Sequence, residues 1–308
     1  MARIASLCWI AALIAAGVWS SATMSATETV VDSGAAAGYQ ALLEIDEREG
    51  LTADERDRAM AALYDARLRP SLDDPASIEA VDWTWYAQAA HLMAFYRQAP
   101  AYLRDARLAM AALETAGIAT REQRETFFGV LVAYREFAAA RGHLAAHPDL
   151  EVEPVPAVAA LSARRDGEAL TYRVDPDAFR LVPEPIRFSD GARLVVVSHP
   201  LCGFSRRAMA FISDEPELAA AIDGNVLWLA PVGTQLHVEV MQAWNREHPS
   251  TPVVIPHTRA DWPMLHDWST PSFYLLQDGE LVDHFSGWPL DDSHRARFVG
   301  MLERAALL

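Results

Sequence analysis

Leu194-Val195-Val196-Val197-Ser198-His199-Pro200-Leu201-Cys202-Gly203-Phe204-Ser205-Arg206-Arg207 decides how the C-terminal half of the chain is read. Leu194 to Ser198 has the unbroken apolar character of a strand buried on both faces. Ser205 to Ala221 then follows at helical spacing. A buried strand that delivers a cysteine to the start of a helix makes the thiol reactive, because unpaired amide N–H groups and the helix dipole there favour thiolate. Much later, Ser269-Thr270-Pro271 opens a second apolar run, Ser272-Phe273-Tyr274-Leu275-Leu276-Gln277. It is followed by Asp278-Gly279-Glu280-Leu281-Val282 and closes at Phe285-Ser286-Gly287.

At these two stretches the chain resembles the thioredoxin-fold family. The resemblance covers 187–308. It implies an α/β domain with a central mixed sheet flanked by helices. It also implies that Pro271 is cis and lies beside Cys202, and that Asp278-Gly279 turns the hairpin. Proline donates no backbone hydrogen bond, which leaves the backbone of Thr270 free to pair with an extended substrate peptide and lets Thr270 tune the thiol across the site. Two departures from the family matter as much. Ser205 stands where the family keeps its second, resolving cysteine, and Val196 stands where thioredoxin keeps a buried acid that moves a proton during resolution. Serine is too poor a nucleophile to resolve a mixed disulfide at neutral pH, so dithiol reductase activity is disfavoured.

Cys202-Gly203-Phe204-Ser205, with Pro200 before it and Arg206 after it, also resembles the monothiol glutaredoxins, which bind glutathione and an iron–sulfur cluster. The upstream lysine of that family is missing, and the hairpin is of thioredoxin type. Cluster binding is chemically awkward in an oxidising compartment. No cofactor is therefore expected, while glutathione stays open as a thiol partner.

The N-terminus reads as an export signal over 1–22, followed by a flexible segment over 23–38. Arg3 supplies the positive end, Leu7 to Val18 the apolar stretch, and Ser20-Ser21-Ala22 small residues for cleavage. An uncleaved anchor is the rival reading, disfavoured because the stretch is short for a span of ~20 residues. Cys8 lacks the small-residue context of a lipidated cysteine. Export places the protein in the periplasm if the source is a Gram-negative bacterium. Removal of the signal leaves one cysteine, Cys202, so covalent redox chemistry needs a partner molecule.

A net charge of −16 argues against nucleic acid and against anionic membrane surfaces. All 26 basic residues other than histidine are arginine, which removes lysine as a Schiff-base nucleophile.

Residues 39–147 read as an all-α domain of antiparallel helical hairpins, only faintly tetratricopeptide-like and without a fixed period. Thr52-Ala53-Asp54-Glu55 is a capping box, Pro70 is expected to end that helix, and Asp74-Pro75 to open a long one reaching Gln98. Trp85, Ala89, Leu92 and Tyr96 would form its apolar face. A further helix runs to Gly117, and Thr120 caps the next, with Phe127, Leu131, Tyr134 and Ala138 on one side. Residues 148–186 read as a proline-rich linker carrying two short strands, Ala169 to Val174 and Phe179 to Val182. Within 187–308, Val226 to Pro231 is expected as a strand, and Gln235 to Glu247 and Asp292 to Ala306 as helices.

Three neighbours of Cys202 bear on its chemistry. Arg206 and Arg207 add positive charge one turn along the helix. His199 donates to a thiolate if its ring turns inward and is a solvent-exposed loop residue if it does not. His143 and His147 are spaced to share a metal, but no third ligand is evident, so no metal site is expected. No phosphate loop, Gly-x-Ser-x-Gly elbow or His-Glu-x-x-His motif is present.

Two functions remain open. One is single-thiol disulfide exchange, of isomerase or deglutathionylation type, with Cys202, Ser205 and His199 at the reacting centre and Thr270, Pro271, Gly203, Phe204 and Arg206 meeting the substrate. Its partner would be an exported protein with a disulfide or thiol, glutathione, or a second copy of the chain. The other is a redox-inactive interaction module that keeps the fold and has lost the cycle. No stable membrane span is expected once the signal is cleaved.

Overall fold

The computed structural model describes residues 34–187, 192–289, 291 and 293–308. The export segment and Cys8 lie outside the described residues. The N-terminal part is built of helices α1 (Gly34–Asp46), α2 (Ala53–Arg67), α3 (Arg69–Leu72), α4 (Trp83–Arg97), α5 (Pro100–Ala116), α6 (Arg121–Ala133) and α7 (Phe137–Ala146). Helix α1 begins inside the segment expected to be flexible, because Ala35 and Ala36 find buried places in the core. Both capping boxes form. The Thr52 and Thr120 hydroxyls each accept the N–H three residues on at 3.2 Å, and Glu55 and Gln123 return the bond. Gly117 closes α5 in the left-handed region, at φ 69°.

The helix expected from Asp74 does not start there. Pro75–Ser77 and Ala80–Asp82 are single 3₁₀ turns separated by an extended Ile78, and the Asp74 side chain caps nothing. Pro70 does not end α2. It sits in the first turn of α3, where its missing N–H costs nothing. Helix α4 packs against α1, α2, α5 and α6. Its buried face is therefore set by Trp83, Tyr86, Ala87, Ala90, Met93 and Ala94, while Trp85, Leu92 and Tyr96 are half-buried. The stripe through Tyr134 to Ala138 is broken at Arg135, whose φ of 59° ends α6 and turns its guanidinium inward. There Nε and Nη2 donate to the Pro256 carbonyl at 3.1 and 2.8 Å, and Nη1 to the Val132 carbonyl at 3.0 Å.

The rest of the chain forms one mixed sheet with flanking helices. Its elements are β1 (Ala157–Val158), β2 (Ala169–Val174), β3 (Arg180–Ile186), β4 (Ala192–Val197), α8 (Gly203–Asp214), α9 (Pro216–Ile222), β5 (Val226–Leu229), α10 (Val238–Glu247), β6 (Val253–Pro256), β7 (Ser272–Gln277), β8 (Glu280–Ser286) and α11 (Ser293–Arg304). The strand order is β1-β3-β2-β6-β5-β4-β7-β8. Strand β4 is parallel to β5 and antiparallel to β7, and β8 returns antiparallel along β7. Asp278 and Gly279 turn that hairpin at φ 51° and 84°, as a two-residue Asp-Gly loop requires.

Strand β4 is buried on both faces. Leu194 and Val196 join the large core shared with the helical layer, while Val195 and Val197 join a smaller core with Trp262, Leu265, Tyr274 and Leu276. The single helix expected over Ser205 to Ala221 is two, because Pro216 lacks the N–H needed to continue α8 and instead starts α9.

Two features of the sheet depart from expectation. Strand β6 was not expected, and the two short strands expected within the linker form as β2 and a longer β3 that join the sheet and extend it beyond β6. Pro183 and Pro185 are tolerated in β3 because of register. The Phe179 and Leu181 carbonyls in the same row accept from β1, and β1 stops before reaching the prolines. Their missing donors thus face an unpaired edge. The linker is also anchored: the Glu153 carboxylate accepts the N–H groups of Leu236, His237 and Val238 at 2.8–2.9 Å and so caps α10, which starts at Val238 rather than Gln235. No helix among the described residues is long and apolar enough to cross a membrane.

Candidate functional site

Strand β4 ends at Val197, and the Ser198 N–H continues to the Leu229 carbonyl at 2.8 Å. The chain then turns, with Cys202 N–H on the His199 carbonyl at 2.9 Å, and Cys202 takes the N-cap position of α8 with extended backbone (φ −78°, ψ 120°). Cys202 is half-exposed. Its Sγ lies 3.1 Å from the Thr270 carbonyl oxygen, and the Thr270–Pro271 bond is cis. The loop is held from the other side by Gly287, whose N–H donates to the Pro271 carbonyl at 2.7 Å.

Burial opposes ionisation of the thiol. It is outweighed by the Thr270 side chain, the N–H and hydroxyl of Ser205, and the Phe204 N–H, so the pKa falls below its ordinary value. Ser205 is 1% exposed, and its hydroxyl accepts the His199 N–H at 3.4 Å. The residue in the resolving position thus touches the sulfur but is closed to solvent. Gly203 needs no special backbone. Beyond its chain neighbours, a Cβ there would meet the Arg207 guanidinium at 3.8 Å. Phe204 packs partly against the core.

His199 is half-buried and does not serve the sulfur. Its Nδ1 accepts the Leu201 N–H at 3.1 Å and its ring stands edge-on to His237 at 5.2 Å. Burial, with His237 adding to it, pushes its pKa down to about 4, so the ring is neutral at pH 7. Arg206 turns back to donate to the Pro200 carbonyl at 3.1 Å. The structure thus gathers Cys202, Ser205, Thr270 and Pro271 with the first turn of α8, and leaves His199 on its own loop.

Sequence reasoning missed the network behind the Thr270–Pro271 loop. Asp267 accepts the Ser269 N–H at 2.9 Å on one carboxylate oxygen and the Ser286 hydroxyl on the other. The Ser272 hydroxyl reaches the Ser269 carbonyl at 2.7 Å and Ser286 at 2.9 Å, and His284 Nε2 lies 3.0 Å from Ser286. Burial works against the Asp267 charge, but the Ser286 and Ser269 donors prevail and hold its carboxyl below the usual range. The only local trace of this in the sequence is Asp267 two residues before Ser269, the spacing of an Asx turn.

Away from this site, His143 Nε2 lies 3.0 Å from the Arg124 carbonyl and His147 Nε2 lies 3.4 Å from Glu114. Among the described residues no group of three or more His, Cys, Asp or Glu side chains is arranged to hold a metal ion.

No family model matches the chain. No curated protein matches it either. Among solved structures, a thioredoxin-like protein from Bacteroides caccae aligns over 93% of this chain and 99% of its own, at 9% identity and a TM-score of 0.29. So loose a likeness carries no weight beside the strand order and the placement of Cys202 described above.

Proposed function

We propose that this is an exported thioredoxin-like protein that exchanges disulfides through Cys202 alone. The observation that carries the reading is the half-exposed Cys202 sulfur at the head of α8, placed beside the cis-proline loop by its S–H bond to the Thr270 carbonyl at 3.1 Å and biased toward thiolate by the Thr270, Ser205 and Phe204 donors around it. In the forward step the thiolate attacks one sulfur of a partner disulfide. A bond forms from Cys202 to that sulfur, the old S–S bond breaks, and the second partner sulfur leaves as thiolate with the electron pair. Ser205 cannot complete the cycle, so an outside thiol must attack the mixed disulfide. That requirement suits shuffling or deglutathionylation better than net oxidation or reduction. The partner would be an exported protein with a disulfide or thiol, glutathione, or a second copy joined through Cys202.

The test is the pH dependence of Cys202 alkylation by iodoacetamide. An apparent pKa below the ordinary thiol value of ~8.5 supports exchange, and a value at or above it overturns the reading. The rival reading, a redox-inactive interaction module, draws on the burial of Ser205 and Val196 where a second thiol and an acid would be needed. Isolation from the exported fraction under non-reducing conditions separates the two. Exchange requires disulfide-linked partners that disappear in Cys202→Ala, whereas a binding module keeps its partners in that variant.

A further inference from the structure

Two guanidinium groups bracket Cys202, and neither meets a carboxylate of the described residues. On the upstream side, Arg206 Nη1 rests on the Pro200 carbonyl at 3.1 Å. On the downstream side, the Arg207 guanidinium lies 4.4 Å over the Phe204 ring, donates to the Trp288 carbonyl at 3.3 Å and closes on Gly203. Both side chains are exposed. Four other arginines, Arg69, Arg124, Arg180 and Arg304, sit on Asp or Glu, while Arg135 and Arg246, like this pair, rest on carbonyls. Carboxylates outnumber arginines here by 42 to 26, so two adjacent guanidiniums held only by carbonyls and a ring form a local positive rim on a strongly acidic chain. The carbonyls fix the groups in place without neutralising them. Arg207 also lines a cleft of about 380 Å³ with Phe211 and Trp288, whose rings are 5.6 Å apart, and with Arg295, Asp214 and Glu215.

We propose that Arg206 and Arg207 select disulfides that carry a carboxylate close to the reacting sulfur. The proposal rests on the exchange reading and names its substrate class. A fixed guanidinium attracts and orients a carboxylate through charge-assisted hydrogen bonds, and it raises the encounter rate most at low salt. The chemical step is the balanced exchange given above: Cys202 sulfur is oxidised to the mixed disulfide, and the departing sulfur is reduced and leaves as thiolate. The carboxylate belongs either to a small peptide disulfide or to an acidic residue beside a cysteine in a protein.

The experiment compares, in the full chain, second-order rates of Cys202 with the dianionic 5,5′-dithiobis(2-nitrobenzoate) and the neutral 4,4′-dithiodipyridine. Arg206→Gln/Arg207→Gln should lower the anionic-to-neutral ratio by about tenfold at low ionic strength, and salt should erase most of the difference. Using a ratio removes any change in thiolate fraction. Arg173→Gln/Arg246→Gln, two exposed arginines outside α8, removes the same two charges and controls for net charge. A ratio unmoved in the Arg206/Arg207 variant, or moved equally by Arg173→Gln/Arg246→Gln, overturns the charge selection while leaving exchange intact. A thiol inert to both reagents overturns the exchange reading and the selection with it. Glutathione disulfide is then compared with peptide disulfides whose cysteine is flanked by Asp or by Asn. Arginine-dependent preference for glutathione disulfide assigns the small-molecule source, arginine-dependent preference for the Asp peptide over the Asn peptide assigns the protein source, and neither preference overturns the proposal.

Discussion

The Cys202 sulfur and the Thr270 carbonyl oxygen, 68 residues apart in the chain, face each other at 3.1 Å across the gap between the head of α8 and the start of β7. Strand pairing makes the meeting obligatory. Val197 at the end of β4 is in register with Ser272 at the start of β7, so the loops that leave and enter those ends must lie side by side. The short approach gives Thr270 direct influence over the thiol, through its side chain as well as its carbonyl.

Thr270→Val keeps the shape of the side chain and removes its hydroxyl. Losing a donor to the thiolate raises the Cys202 pKa, so less thiolate is present at pH 7. Alkylation at pH 7 should slow by about threefold, with the rate recovered at high pH. An unchanged pH profile would show that the Thr270 hydroxyl does not reach the sulfur.

Asp267→Asn tests the network behind the loop. Asparagine accepts on one oxygen only, so either the Ser269 N–H or the Ser286 hydroxyl loses its partner, at a cost of about 1–2 kcal/mol. Denaturant midpoint and thiol pKa are measured together. The expected result is a lower midpoint with a shifted thiol pKa. A lower midpoint with the thiol unmoved would make Asp267 a purely structural residue.

Ser205→Cys restores a second thiol next to Cys202. The mixed disulfide should then be resolved internally, and partners visible on non-reducing gels of the wild type should be lost. If they persist, burial of position 205 keeps the new thiol from attacking.

Gly129 in α6 lets the helical layer seat on the loop after β5, since a Cβ there would come within 2.8 Å of the Thr234 Cβ. Gly129→Ala should cost about 1–3 kcal/mol by overpacking. Adding Thr234→Gly should recover part of that cost, and the two effects should be clearly non-additive in a double-mutant cycle. Additive effects would mean that the two residues do not touch.

His91 predicts an acid-side loss of stability. It is buried in α4 with Nε2 unpartnered, and burial pushes its pKa down to about 4 from an ordinary 6.5. Between those values the unfolded chain binds the proton and the folded one does not. Stability is therefore full above pH 6.5 and declines as pH falls toward 4. His199, also held near 4, adds to the slope. His91→Leu should flatten the decline in denaturant midpoint between pH 7 and 5. A slope identical to wild type would place the titration elsewhere.

Local signals in the chain were strong where one segment carries its own instructions. The capping boxes at Thr52 and Thr120, the stop at Gly117, the Asp278-Gly279 turn and the strand–cysteine–helix passage at Cys202 all depend on residues within a few positions of one another. The misreadings arise where a distant partner overrules local preference. Ile78, packed partly against the core, is extended and breaks the helix expected from Asp74. Burial of α4 among four neighbouring helices widens its apolar face beyond a single stripe. Arg135 abandons helical backbone to reach the Pro256 carbonyl. The proline-bearing β3 is admitted to the sheet because β1 ends early.

The same division runs through the site. That a thiol heads a helix, with serine one turn on and arginines after it, is legible in consecutive residues, because a helix start is a local structure. That the thiol meets Thr270, that His199 turns away to His237, that Asp267, Ser272 and Ser286 brace the loop, and that Arg206 and Arg207 settle on carbonyls is settled only by packing. The longest of those contacts join Cys202 with Thr270 and Arg207 with Trp288, and the geometry of all of them follows from strand register and burial, which local composition does not encode.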